Sequence, residues 1–583
     1  MKYELKSFKG GKSDYEDRGI YGSFKRGKNL DIRGIDDVLV CNQALVADGT
    51  GATGADTVVT DLINFFVNSS TGDTYGFGDG GKIYKRTSAA VWSLVYTDGD
   101  GEITGAYEWF DPSNTYLYWT TSTKLHRKVI PGSNWTTDVD ATVASVAASG
   151  TLTVSGTPAS GSTITIGSVT YTFRTTLTTS PSTIANEVLI GANAEAAIDN
   201  LVKAITLAAT IGTNYSTGTL VHPTVTAAKA SSSTMTVTAK TVGDAGNSII
   251  TVPAGNYLAF AQPTLKNGVT YSAWPKINLA AATWHTMTQA NGSLMICNNK
   301  FLAMVGYDSS YTNEALKLRP GITTQAIIER GNQVLIGGGD GVRESWLSTW
   351  EQTAMSWIDK NRIPSKSINA IVQAELMLMS CGDNELFFSD MVNNMPVCTL
   401  DGKCNPGGVV EKGGLALFGL YGGSYPGIWS YGRQKKNESH TLNLEQYIDA
   451  DEIGAICKIA GQVFVSYKKN TSYYVRKVDT ATKAEAEYYS LDLVAPKEST
   501  WTNIELTTGT IPTGCSIAVY YDLDATGSWT QAKMAGDVAT ATAGMRDPIF
   551  LCGSYGRNFN LKIVLTPNAN SSPEVSKIVI NLE

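Results

Sequence analysis

The sequence predicts a mainly β protein: a β-propeller of about seven blades, with a small inserted α+β domain and a C-terminal β-sandwich. Three observations carry this. Apolar strand, glycine or asparagine turn, apolar strand recurs along the chain, most clearly over Gln325–Ile336, Ile368–Met379 and Ile453–Ser466, more faintly from Val409 through Gly414 to Trp429, and loosely at 62–84, 106–125 and 286–305. The turns fall near 72, 114, 292, 331, 374, 414 and 461, a spacing of roughly forty residues broken by one long jump, which is the period of a four-stranded propeller blade. Across that jump the composition changes to Thr, Ala and Ser, with few aromatics.

In chain order, residues 1–57 form an extended arm and a first strand. Up to Arg33 the arm carries nine Lys/Arg against five acids, about +4, with aromatics between glycines as in Phe8–Tyr15 and Gly19–Lys28. Such an arm either docks on a neighbouring subunit or packs on its own chain. Residues 58–137 hold two blades. Residues 138–262 form the insert: Thr151–Val154, Thr163–Ile166 and Val169–Phe173 alternate with period two, and a helix follows. Asn193 caps the helix, Ala197, Ile198, Leu201, Val202 and Ile205 line one face, and Glu195, Asp199 and Lys203 lie opposite. Residues 263–495 hold five more blades, and 496–583 form the sandwich, with strands expected around Ile504–Leu506, Ser516–Tyr521, Leu561–Leu565 and Val575–Ile580.

Composition narrows the function. The chain has 583 residues, 17% of them charged, 57 glycines and a net charge of -7. With a pI near 5.4 it does not suit wholesale nucleic-acid binding. No apolar run reaches the ~20 residues of a membrane span, and Met1–Lys6 leads into no signal-like apolar core. Eight cysteines in this length suit reduced thiols in a cytosol.

Reactive constellations are sparse. His126, His222, His285 and His440 are scattered without metal-ligand spacing, and each reads as structural. Gly337–Gly341 follows a strand and reads as a blade turn needing positive φ. Cys398 and Cys404 flank Asp401-Gly402 as if across a hairpin tip, and read as free thiols, with a disulfide formed after release from the cell as the alternative. Asp98-Gly-Asp-Gly-Glu102 opens like a calcium loop but lacks its later ligands, so turn chemistry accounts for it. Asp522–Trp529 loosely resembles the Asp-box of sialidase propellers, and the 53 acids rank no pair as the two placed carboxylates of a glycosidase. A sugar site, if present, would use exposed loop aromatics such as those of the glycine-rich Tyr421–Tyr425, while core packing accounts for most of the 27 tyrosines. The expectation is a non-enzyme with no catalytic, cofactor-binding or metal residues and no cofactor.

The insert carries the most specific resemblance. Thr151–Phe173, Asn186–Gly191 and Thr238–Ser248 resemble a module recurrent in virion proteins of tailed bacteriophages. The propeller and sandwich are similar in organisation to phage tail proteins, including nozzle and hub proteins of short-tailed phages. The resemblance implies a structural protein of the virion tail, made in the host bacterial cytoplasm. Its partners would be other tail or connector proteins, copies of itself in a cyclic homo-oligomer, and, for a tail protein that binds a receptor or glycan, the host surface. A propeller glycosidase is the remaining alternative.

Overall fold

Each apolar hairpin of the sequence becomes part of a four-stranded antiparallel sheet. The structure is a computed structural model. It describes residues 1–15, 21–35, 37–48, 59–87, 91–111, 114–131, 135, 139–140, 147–179, 184–208, 211–268, 274, 277–352, 358–433 and 435–583. Two units divide the chain, Met1–Thr136 with Lys276–Glu583, and Thr137–Pro275. The arm residues 16–20 and the boundaries placed at 57–58 and 137–138 lie outside the described residues.

In the first unit seven four-stranded sheets form among the described residues. Blade 1 spans 63–97, blade 2 spans 105–130, and blades 3 to 6 span 287–317, 323–363, 368–399 and 402–447. Blade 7 spans 452–483. Inner strands touch in sequence order, and Glu452–Ile459 of blade 7 touches Ile63–Asn68 of blade 1, which closes the ring. The protein is therefore a seven-bladed β-propeller. Two blades borrow their outer strands from elsewhere. Blade 2 takes Ile277–Asn278 from beyond the insert, and blade 7 takes Gln43–Ala47 from the N-terminal segment. The turn glycines Gly72, Gly292, Gly331, Gly414 and Gly461 have φ of 88°, 73°, 61°, 85° and 81°, the left-handed values that tight hairpins need.

Backbones come close at the ring axis. The inner strand of blade 6, Gly402–Lys412, loses register between Cys404 and Val409. A Cβ on Gly407 would overlap the carbonyl of Asn64 in blade 1, and one on Gly454 that of Ile63. The run at Gly337–Gly339, expected as a turn, is instead buried within the strand Gln333–Gly339. There Ile368 and Ile322 side chains and the Lys366 carbonyl occupy the space a Cβ would need. Only Gly341, φ 76°, serves the turn.

The second unit has its own core of Leu152, Ile164, Tyr171, Phe173, Ile198, Leu201, Ile205 and neighbours, all fully buried. Two four-stranded sheets supply it, one ordered 225–229, 234–242, 147–154, 258–260 and the other 187–189, 169–174, 163–166, 251–254. The helix Ala194–Thr206 buries Ala197, Ile198, Leu201 and Ile205, with Val202 partly buried. The Asn193 side chain accepts from the Ala196 amide at 2.9 Å. Glu195 and Asp199 face outward to Lys229.

The C-terminal domain departs from the expected 496–583. One nine-stranded sheet wraps its core in the order 2–5, 575–582, 493–508, 549–566, 486–489, 26–28, and three further strands attach through Ser516–Leu523. Register shifts at Val494/Ser499 and Trp501/Asn503 bend its two longest strands. The arm belongs here. Lys2–Leu5 pairs with Ile578–Asn581, Arg26–Lys28 pairs with Glu487–Tyr489, and Phe8 and Phe24 are each 1% exposed, edge-on to Tyr488 at 5.5 and 5.7 Å. Lys9, Lys25, Lys28 and Arg33 pair with Glu438, Asp492, Glu487 and Glu445 of the same chain. Phe8 and Phe24 are therefore not available to dock on a neighbouring subunit, because their apolar surface is already spent inside their own chain, whereas Tyr15 and Tyr21 stay exposed.

Phe8→Ala or Phe24→Ala should cost about 3–5 kcal/mol of stability in denaturant unfolding. An unchanged midpoint would mean that the arm contributes nothing to this core. Gly407→Ala should cost about 1–3 kcal/mol by overpacking the axis, and a Gly407→Ala variant as stable as the parent would refute the close approach to Asn64.

Candidate functional site

Histidines and thiols resolve first. His222 donates from Nε2 to the Ile166 carbonyl at 3.0 Å and accepts at Nδ1 from the Thr224 and Val225 amides, while burial pushes its pKa down. His285 lies between the carbonyls of Cys297 (2.7 Å) and Ser122 (3.1 Å), and burial again favours the neutral ring. His440 reaches Glu375 at 3.2 Å and stacks on Tyr431. All eight cysteines are free thiols. Cys398 lies on the outer strand of blade 5 and Cys404 on the inner strand of blade 6, so Asp401-Gly402 connects two blades and is not a hairpin tip. Burial pushes both thiols up to about 12, which leaves them inert at neutral pH.

Asp98-Gly-Asp-Gly-Glu102 joins blades 1 and 2. Asp98 accepts from Trp119 Nε1 at 2.7 Å and from the Asp100 amide at 2.9 Å, and His126, stacked on Trp119, places Nε2 within 3.6 Å of Asp98 and 3.5 Å of Asp100. These three ligand atoms lie within 4.8 Å of one another. Their visible work is to tie the interblade turn to the second blade.

Near the axis, Asp61 is 4% exposed, accepts from the Gly80 amide at 2.6 Å and is hydrogen-bonded to Asp79. Burial, then the hydrogen bond and charge of Asp79, push Asp61 up to about 7. The carboxyls of retaining glycosidases stand about 5 Å apart around a substrate. Here the two are in direct contact, and Gly78 and Gly80 close over Asp61 so tightly that a Cβ on either would strike it.

The concave site with ligand-binding character lies elsewhere in the same unit. It is a cleft of about 380 Å³ between Asp401, Ser424, Tyr425 and Trp429 at blade 6 and the C-terminal domain. Three stretches singled out separately in the sequence meet in it. From the arm comes Arg26, its guanidinium 3.5 Å from the Tyr489 ring centroid and 4.6 Å from that of Tyr425. From the glycine-rich loop comes Tyr425, while Tyr421 turns inward and donates to Asn405 at 2.6 Å. From the Asp-box-like stretch comes Trp529, 38% exposed and edge-on to Tyr489 at 5.5 Å.

The two carboxylates of the wall hold these loops in shape. Asp401 accepts from the amides of Ser424 (3.1 Å) and Tyr425 (2.6 Å). Asp522 accepts from Thr526 Oγ1 (2.7 Å) and the Gly527 amide (2.9 Å), which closes the left-handed turn at Asp524 and Ala525 beneath Trp529. Arg26 Nε is buried without a hydrogen-bond partner, and so is Oδ1 of Asn560, a cleft residue only 5% exposed. Arg26 gave no separate signal in the sequence, where it was one of nine basic residues in the arm.

Comparison with known proteins assigns no function. No family model matches the chain, and no curated protein does. Among solved structures it is similar to the WD40 β-propeller domain of Doa1, with 9% identity over 75% of this chain and 97% of that one, at a TM-score of 0.35. It is also similar to the Dos1 propeller, with 9% identity over 75% and 95% at 0.35, and to Saccharomyces cerevisiae Sqt1, with 8% over 75% and 98% at 0.34. No described helix is long and apolar enough to cross a membrane.

The raised Asp61 makes stability depend on pH in a definite direction. The folded protein keeps a proton that the unfolded chain releases near pH 4, so this stabilisation is complete below that pH and is lost as pH rises through about 7. Asp61→Asn should therefore gain stability relative to the parent at pH 7.5 and much less at pH 4.5 in chemical unfolding. Parallel pH dependences for the two proteins would refute the shared proton.

Proposed function

We propose that the protein is a structural component of a tailed-phage virion, a tail nozzle, hub or minor tail protein that acts as a docking scaffold for other tail or connector proteins. The observation that carries this reading is the insert. The residues that resemble the recurrent virion module, Thr151–Phe173, Asn186–Gly191 and Thr238–Ser248, fall within one unit with its own core. The host propeller is suited to scaffold work, because closure protects the sheet edges while loops remain for partners. A cyclic arrangement of copies belongs to the same proposal, with head-to-tail contacts between neighbours. The chemistry of the acids agrees with a binding role: Asp401 and Asp522 are engaged by backbone amides, and Asp61 by Asp79.

The test is location. Antibodies raised against the purified protein should label the tail in negatively stained particles produced from the genome that encodes it. Label confined to the particle-free lysate would overturn the reading. A second reading, a tail protein that binds a host glycan, is favoured by the cleft.

A further inference from the structure

We infer that the cleft around Arg26 binds a saccharide bearing a single carboxylate, of the uronic or sialic acid class. This does not rest on the virion reading, since it follows from the side chains alone.

The argument begins with an unanswered cation. Arg26 has no acidic partner, although Lys9, Lys25, Lys28 and Arg33 of the same segment each have one. Its guanidinium is held against the rings of Tyr489 and Tyr425, at 3.5 and 4.6 Å, which fixes its plane and lowers the entropy lost when it binds a ligand. Its Nε–H is desolvated and has no acceptor, which is unfavourable. A planar guanidinium so placed is matched by an oxyanion, and a carboxylate fits its two-pronged geometry.

The rest of the cleft limits what carries that anion. Asn560 is a second unanswered polar group, 5% exposed with Oδ1 unpartnered, and that oxygen calls for a donor such as a hydroxyl. The exposed ring of Trp529 gives the C–H face of a pyranose an apolar platform beside Tyr489. Charge sets the number of anions. Lys12, Lys25 and Arg26 line the cleft against Asp401 and Asp522, and Lys25 is already held by Asp492, so the wall carries no large surplus of positive charge. A polyanion such as a nucleic acid strand would meet both carboxylates and find too few cations. A hydroxyl-rich molecule with one negative charge satisfies the Arg, the Asn and the aromatic rings together, and a cleft of about 380 Å³ accepts one or two sugar rings.

Titration of the full-length protein with N-acetylneuraminic acid, with glucuronic acid and with neutral glucose tests this, read by saturation-transfer NMR and calorimetry. At least one of the acids should bind about tenfold or more tightly than glucose. Arg26→Gln should abolish that preference. Because Arg26 packs against two tyrosines, Trp529→Ala serves as the second variant: its side chain is exposed, so the fold should survive while affinity for the acid falls about tenfold. Binding of neither acid would overturn the inference, as would equal affinity for glucose, or full affinity in a folded Trp529→Ala variant.

Discussion

Ring closure is the interaction on which the remainder of this structure depends. Five blades are built of consecutive strands and blade 2 is finished by Ile277–Asn278 further along the chain, but the seventh has only three strands of its own at 452–483 and is completed by Gln43–Ala47 from the other end. The pairing of Lys477 with Val46 crosses more than 400 residues, so its loop-closure cost falls on folding and its reward comes only when the ring is whole. Once Gln43–Ala47 is committed to blade 7, the residues before it have a short tether and nearby apolar cover. Leu39 is held by a bridge to Val575, Phe24 and Phe8 enter the C-terminal core, and Met1–Leu5 ends beside the last strand of the chain. A segment that looks like a free basic arm is in effect the fastener between propeller and C-terminal domain.

The same closure explains the acids and glycines at the axis. Blades 6, 7 and 1 converge so closely that Gly407 and Gly454 abut backbone carbonyls of blade 1. Asn405 supports the bend by donating to Glu452 at 3.2 Å and to the Ile453 carbonyl at 3.1 Å. In this crowded region burial and neighbouring charge disfavour the ionised carboxyl, which raises Asp61 beside Asp79, and Glu102 is raised for the same reason, burial first and then the charges of Asp79 and Glu452.

What was legible in the sequence was local. Turn glycines such as Gly331 and Gly461 mark blades because a tight hairpin demands left-handed backbone at one residue. The helix capped by Asn193 is legible because the cap and the 3.6-residue apolar spacing lie within a dozen residues of each other. What was illegible was long-range or packing-dependent. Nothing near Gln43 announces a partner at 477, and nothing near Ile277 announces that two residues beyond the insert finish blade 2. Gly337–Gly339 look like a turn because glycine is permissive. They sit in a strand because Ile368, Ile322 and Lys366 leave no room for a Cβ, a fact about neighbours and not about φ. Cys398 and Cys404 looked like the two flanks of one hairpin tip because spacing cannot distinguish a turn within a sheet from a step between sheets.

The cleft combines both kinds of information. Tyr425 and Trp529 lie on loops that could be singled out by composition, and Asp522 stands four and five residues before the groups it accepts from, as such a turn requires, whereas Asp401 reaches its amides across more than twenty residues. Arg26 reaches them only because closure draws the arm back along the strand Ala486–Tyr489. That path places one cation between Tyr489 and Tyr425 and leaves its neighbours, Lys25 and Lys28, on Asp492 and Glu487. Had the arm merely needed charge to hold it down, an acid beside Arg26 would have served as it does for the lysines. Instead the position is lined with aromatic faces, whose attraction for a cation survives the approach of an anion on the open side. A guanidinium supported in that way can bind an oxyanion and release it without loosening the strand that carries it, which is what a reversible binding site at a structural seam requires.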